Sequence, residues 1–242
     1  MSTHDTRTTS HAQTIAAHVE PACAQDHDSA THDRIIGSAA PLPINNVDTD
    51  QIMPKQFLRG IDKSGLAEGL FYDLRHDEAG NQRPDFVLNQ AAYSGADILI
   101  AGANFGCGSS REHAVWGMLQ FGIRAIIAPS FGEIFYSNAM NNRLMLIMLP
   151  DTDIATLLAQ CEQSAQPLPV TIDVRAGTVE AGPFRSSFEI APRLRSMFLH
   201  GHDMIGATLA HSTLIEAFAH ASGERRPWLQ DVAGKTLATL AR

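Results

Sequence analysis

The sequence predicts an α/β fold with a mixed sheet, and three observations predict it. Apolar runs at 96–101, 123–128 and 144–149 have the length of buried strands. Stretches with helical spacing, 111–121 and 131–141, separate them. That order of strand, helix, strand, helix, strand requires parallel βαβ units. Residues 170–190 instead alternate in period two around Ala176-Gly177, as two or three antiparallel strands do.

The elements follow in chain order. Residues 1–34 hold five of the eleven histidines (His4, His11, His18, His27, His32) among Thr, Ser, Asp and Ala. They lack the apolar periodicity of a packed element and read as a disordered or loosely attached tail. The irregular histidine spacing is not that of a metal site. Residues 35–242 read as one compact unit that begins near Ile35. A polar turn follows at 45–54. Residues 60–94 look irregular, with a turn at Ala79-Gly80-Asn81 and a break at Pro84. The second helical stretch puts Phe131, Ile134, Phe135 and Ala139 on one face. Residues 151–165 form an amphipathic helix that Asp151, Thr152 or Asp153 can cap, with Ile154, Leu157, Leu158 and Cys161 inward. RLRSMFLH ends at Gly201 as a helix does. Thr213 and Glu216 form a capping box for a last helix through His220.

Composition excludes several functions. The chain has 242 residues, 18 Lys and Arg against 26 Asp and Glu, and a net charge of −8. This is the wrong sign for a protein that holds nucleic acid on a basic face. No apolar run approaches the roughly 18 residues of a membrane span. The first residues lack the basic and apolar regions of a secretory signal. Cys23, Cys107 and Cys161 lie far apart and read as reduced cytoplasmic thiols without a metal-ligand spacing.

The chemistry concentrates in GANFGCGSSREH, residues 102–113, which joins a buried strand to a helix N-terminus. Glycines let the backbone turn and a ligand approach closely. The helix start offers unpaired N–H groups and a positive dipole end, and such a place binds anions. Arg111 adds a fork suited to a carboxylate or phosphate. The loop lacks the Lys of a P-loop, and Arg111 stands where the dinucleotide fingerprint needs its third glycine. No G-x-S-x-G elbow is present. Two readings of the serines stay open: a site for a small anion with proton transfer, or an ordinary N-cap made by Ser109 or Ser110. Cys107 fits a small buried residue filling the turn better than a nucleophile, since no histidine base is assigned to it. His113, one turn into the helix, fits support of the loop better than proton transfer.

Several separate segments carry a resemblance, in matching order. GCGSSREHA (106–114), with NVDTDQIMPKQF (46–57), PDFVLN (84–89) and IAPSFGEIFYSNAMNN (127–142), resembles the small-subunit family of 3-isopropylmalate dehydratase, within the aconitase family. The resemblance runs from about 35 to about 220 and implies a swivelling β/β/α domain with a mixed sheet. It implies a hydro-lyase that is active only with a large subunit, as a heterodimer. The substrate implied is a small hydroxy-dicarboxylate, in leucine biosynthesis. It also implies that the [4Fe–4S] cluster sits in that large subunit, with no cofactor in this chain.

The same resemblance assigns residues. It gives Ser109 the abstraction of the proton beside a carboxylate, Arg111 the binding of a substrate carboxylate, and Ser110 an assisting hydrogen bond. It gives Asp50 the orientation of site groups, and Lys55 or Arg59 a second carboxylate. The segment 195–206, RSMFLHGHDMIG, departs from the family's usual C-terminal pattern. That departure keeps related hydro-lyases open, of the homoaconitase, citramalate/citraconate or dimethylmalate type. Residues 60–72, with Leu70, Phe71 and Tyr72, are the expected pocket loop for the substrate's apolar branch. Two other function classes are an anion-binding module and a non-catalytic interaction domain. The missing Lys disfavours the first, and the intact Ser109-Ser110-Arg111 disfavours the second.

Overall fold

The computed structural model describes residues 33–58, 64–164 and 166–240. The predicted tail lies almost wholly outside them, and Arg59 lies outside them as well. The first strand, β1, runs Arg34–Leu42.

The predicted α/β order holds in the central part. Strands β2 (Ile98–Ala101), β3 (Ala125–Ala128) and β4 (Met145–Met148) lie parallel to β1 and to one another. All eight residues of β2 and β3 are buried, so these strands are covered on both faces and read as unbroken apolar runs. Beyond β1 the sheet turns antiparallel through β5 (Leu168–Asp173), β6 (Thr178–Ala181) and β7 (Phe184–Ser187). The seven strands stand in the order β4-β3-β2-β1-β5-β6-β7, with β1 parallel to one neighbour and antiparallel to the other. Period-two alternation marks β5, whose residues run buried, exposed, buried, intermediate, buried, intermediate.

The helices come between and after the strands. A four-residue turn, α1 (Thr49–Ile52), lies in the segment read as a polar turn, and two more, α2 (Leu66–Gly69) and α3 (Tyr72–Arg75), lie in the region read as irregular. The turn at 79–81 is built by Asp77, whose carboxylate accepts from the N–H groups of Ala79 and Asn81 at 2.9 and 2.8 Å. Helix α4 is Glu112–Phe121 and α5 is Glu133–Asn141. In α5 the buried face is Phe135, Ala139 and Met140, while Ile134 is half exposed, a correction to the face read from the sequence.

Helix α6 (Asp151–Gln163) buries Ile154, Leu157 and Cys161, with Leu158 partly covered. None of the three expected side chains caps it. Pro150 occupies the N-cap, and Asp153 accepts a 2.6 Å hydrogen bond from Ser186 in β7 instead. Helix α7 (Pro192–His200) ends at Gly201 in the left-handed conformation, φ 66°, as read. Helices α8 (Met204–Leu209), α9 (Ser212–Arg225) and α10 (Val232–Leu240) follow. Helix α9 runs five residues past the predicted end, with His211 rather than a Thr213–Glu216 box at its start. Among the described residues no helix is long and apolar enough to cross a membrane.

Cys161 carries a prediction of its own. It is 1% exposed, and burial pushes its thiol up to about 11. Thiol reagents attack the thiolate. Iodoacetamide at pH 8 is expected to leave Cys161 unmodified in the folded protein and to modify it in urea, as read by peptide mass mapping. The sign for stability follows. The unfolded thiol ionises first, so the contribution of this group is complete below about pH 9 and is lost as pH rises through its folded value.

Candidate active site

Three adjacent parallel strands deliver the site. The segments leaving the C-terminal ends of β1, β2 and β3 are 43–52, 102–111 and 129–132, and they meet one another. Open α/β sheets place ligands at these strand ends.

The first segment is fixed by local sequence. Asp48 accepts from Gln51 N–H at 2.7 Å, and Gln51 Oε1 accepts from Asp48 N–H at 3.0 Å, a complete capping box for α1. This sets Thr49 and Asp50 in the first turn, facing the glycine-rich loop. The loop is stitched to this segment by backbone bonds: Gly106 N–H to Val47 O at 2.7 Å, and Thr49 N–H to Cys107 O at 2.9 Å. Asn46 and Asn104 both adopt the left-handed conformation, φ 57° and 56°, and Asn104 Nδ2 donates to Asn46 Oδ1 at 2.9 Å. Asparagine tolerates that backbone better than most residues.

The loop cannot be built from larger residues. Gly106 has φ 74°, and a Cβ there would lie 2.2 Å from the buried Phe135 ring. Gly132 approaches so closely that its Cβ would lie 2.5 Å from Gly106 O. Beneath them Phe105, fully buried, meets Phe71, Phe131 and Phe135 edge-on, with ring centroids 5.6 to 6.5 Å apart. On the far side Asn138 of α5 donates to Ser110 O at 3.3 Å.

Helix α4 begins after Arg111, which occupies the N-cap position without a side-chain capping bond. Neither Ser109 nor Ser110 is the cap, which removes the ordinary-cap reading. Ser109 Oγ instead lies 2.8 Å from Thr49 Oγ1, and Ser109 N–H donates to the same oxygen at 3.1 Å. Ser110 is exposed. Arg111 donates to the Asp50 carboxylate. That hydrogen bond holds the Asp50 carboxyl below the usual range, against a lesser upward push from burial, with the charges of Arg111 and Lys55 adding to it. Lys55 itself is exposed at the start of a short turn just after α1. The first turn of α4 is braced by Asn142, which donates to Glu112 at 2.6 Å and accepts from Trp116 at 3.1 Å.

The site therefore brings Ser109, Arg111, Asp50 and, at its edge, Lys55 together; Arg59 lies outside the described residues. Thr49 was not singled out in the sequence, although Asp48-x-x-Gln51 is a readable capping box that places it. Two other expectations change. Leu70 and Phe71 are fully buried in the core, so the 60–72 stretch does not offer them as pocket walls; Tyr72 stacks on His76, centroids 4.3 Å apart. Cys107 is half-buried rather than buried, with Sγ 3.5 Å from Asn46 O. His113 leans on Trp116, centroids 4.9 Å apart. Among the described residues no three of His, Cys, Asp and Glu are placed to hold a metal ion.

This geometry has relatives. The aconitase C-terminal domain family matches residues 31–152. The chain is 59% identical over 210 residues to the 3-isopropylmalate dehydratase small subunit 1 of Chromobacterium violaceum, covering 87% of this chain and 99% of that protein. It is 44% identical over 198 residues to the 3-isopropylmalate dehydratase small subunit of Phenylobacterium zucineum, covering 81% and 97%. Among solved structures, the 3-isopropylmalate dehydratase of Methanocaldococcus jannaschii matches with a TM-score of 0.54 at 30% identity, over 76% of this chain and 98% of that one.

Proposed function

The chain belongs to the small-subunit family of 3-isopropylmalate dehydratase, within the aconitase family. From that premise we propose that it supplies the proton-transfer and carboxylate-binding half of a hydro-lyase site that interconverts 2-isopropylmalate and 3-isopropylmalate in leucine biosynthesis. The observation that carries the proposal is the meeting of Ser109 with Thr49 and of Arg111 with Asp50 across one glycine-rich loop.

Each residue has a task in the proposed reaction. Ser109, as its alkoxide, takes the proton from the carbon beside a substrate carboxylate. The Oγ–H bond forms as the C–H bond breaks. The released electron pair becomes the C=C bond as the hydroxyl leaves the neighbouring carbon. In rehydration the C=C bond accepts the proton from Ser109 at the carbon that lost the hydroxyl, and the hydroxyl adds to the carbon that lost the proton. A serine hydroxyl is too weak an acid to do this in water, so the loop must favour the oxyanion by positioned donors. Arg111 binds the carboxylate that flanks the reacting carbon, and Ser110 adds a hydrogen bond. Asp50 fixes the Arg111 fork. Lys55 or Arg59 meets the second carboxylate.

We assign the [4Fe–4S] cluster to the large subunit, where it would supply Lewis acidity toward the substrate hydroxyl. The described residues of this chain offer no fit for such a cluster: Cys107 and Cys161 stand on separate elements, and the Cys161 thiol is held protonated. Both are free thiols, which fits the reducing cytoplasm to which we assign the enzyme.

Arg111→Lys keeps the charge and loses the planar fork. It is expected to raise KM and lower kcat together, with kcat/KM down by about 10- to 100-fold, the worth of a charged hydrogen bond. Steady-state kinetics of the reconstituted complex measure it. The function itself is tested by giving that complex a panel of hydroxy-acids. 2-Isopropylmalate is expected to be turned over with the highest kcat/KM; a preference for a homocitrate, citramalate or dimethylmalate type would move the chain to a sister activity.

A further inference from the structure

We infer that Thr49 is the positioning residue that makes Ser109 a proton acceptor, by donating its hydroxyl hydrogen to the Ser109 oxygen once that oxygen has lost its own. The inference rests on the proposal that Ser109 is the base.

The geometry leaves the Thr49 hydroxyl one arrangement once Ser109 is ionised. Its oxygen has one hydrogen to give and lone pairs to accept with. Ser109 N–H already donates to it, at 3.1 Å. Ser109 Oγ stands 2.8 Å from the same oxygen. While Ser109 keeps its proton, either hydroxyl can donate to the other. When Ser109 is an alkoxide, only Thr49 can donate, and the bond becomes charge-assisted and stronger. The bond is therefore worth more in the ionised form than in the neutral one, which is the condition for lowering the cost of ionisation. The N–H that Thr49 accepts polarises its hydroxyl and makes it a better donor.

Thr49 is also held in place for this work. It is 1% exposed, so its hydroxyl is withheld from solvent. Its backbone N–H is bound to Cys107 O, and the Asp48–Gln51 box fixes the turn that carries it. A threonine side chain most often bonds to backbone within its own turn; this one reaches a residue 60 positions away. The stiff χ1 of a β-branched residue keeps the hydroxyl aimed. The charged groups on the adjoining elements are Asp50 and Arg111, which are paired with each other, Asp48, which caps α1, Glu112, which accepts from Asn142, and Lys55.

Thr49→Val keeps the shape and removes the hydroxyl. In the reconstituted complex it is expected to lower kcat by about 10²-fold, the usual loss on removing one donor to an oxyanion, with KM nearly unchanged. The deficit should narrow as pH rises, because hydroxide then removes the proton that the hydrogen bond no longer helps to release. Thr49→Ser should restore most of kcat. In a Ser109→Ala background Thr49→Val should cost nothing further. A Thr49→Val complex with near-native kcat, beside an inactive Ser109→Ala complex, overturns the inference and spares the base. So does a loss that is equal at every pH and is not rescued by serine, since that marks a packing role. An active Ser109→Ala complex overturns the base assignment and this inference with it.

Discussion

Ser109→Ala is expected to lower kcat of the reconstituted complex by about 10²-fold or more, the range of a positioned base, with little change in KM. The asymmetry follows from when the group acts. Ser109 gains a proton only as the reaction proceeds, so its loss falls on the transition state. Arg111 faces a carboxylate that is charged throughout, so its loss falls on binding as well. The substitution should fold, because Ser109 is only partly buried and the loop is held by backbone bonds of Gly106 and Cys107 to the 47–49 segment. Circular dichroism and comigration with the large subunit on gel filtration control for folding and assembly. A folded, assembled Ser109→Ala complex with near-native kcat would place the base elsewhere.

Gly106→Ala is expected to have the largest effect on stability. A left-handed backbone costs an L-residue about 1–2 kcal/mol. The new Cβ would also meet Phe135 ring atoms at 2.2 and 2.4 Å, and that ring is 2% exposed with no room to retreat. Overpacking of this kind adds about 1–3 kcal/mol. The total, about 2–5 kcal/mol, is a large part of the roughly 5–15 kcal/mol that keeps a domain folded. Gly122→Ala is the internal comparison. Its φ is 105°, but open space surrounds the new Cβ, so only the conformational cost should appear. Urea titration measures both. The Gly106→Ala midpoint should fall well below that of Gly122→Ala at an unchanged slope. Equal midpoints would mean that Phe135 moves freely and the loop is softer than its packing indicates.

Much of this molecule is legible in its sequence, and the reasons are physical. The strands β2 and β3 are apolar throughout because both of their faces are buried, and β4 is apolar with only Met148 exposed, so these strands read as runs without alternation. The hairpins of 168–187 declare themselves through alternation and through Gly177, φ 68°. The glycine-rich loop was legible because positive φ and close approach demand glycine. Helix starts were less legible. Pro150 and Arg111 begin α6 and α4 without side-chain caps, while acceptable caps stand nearby and bond elsewhere, as Asp153 does to Ser186. The region 60–94 hid its order because four-residue turns leave no periodicity to read. Leu70 and Phe71 looked like a pocket loop for that reason, yet tertiary packing puts them in the core. Thr49 was missed because a threonine in a polar turn carries no mark of its partner, and only the fold brings position 109 to it.

The most direct test is a titration of this chain into a fixed amount of an iron–sulfur large subunit of the same family, followed by the interconversion of 2-isopropylmalate and 3-isopropylmalate. Neither protein alone should turn over substrate. Activity should rise with added chain and level off at one chain per large subunit, while Ser109→Ala chain should bind with the same stoichiometry and restore almost none. Turnover by either protein alone, or an assembled complex without turnover of either isomer, would contradict a site divided between the two subunits with Ser109 as its base.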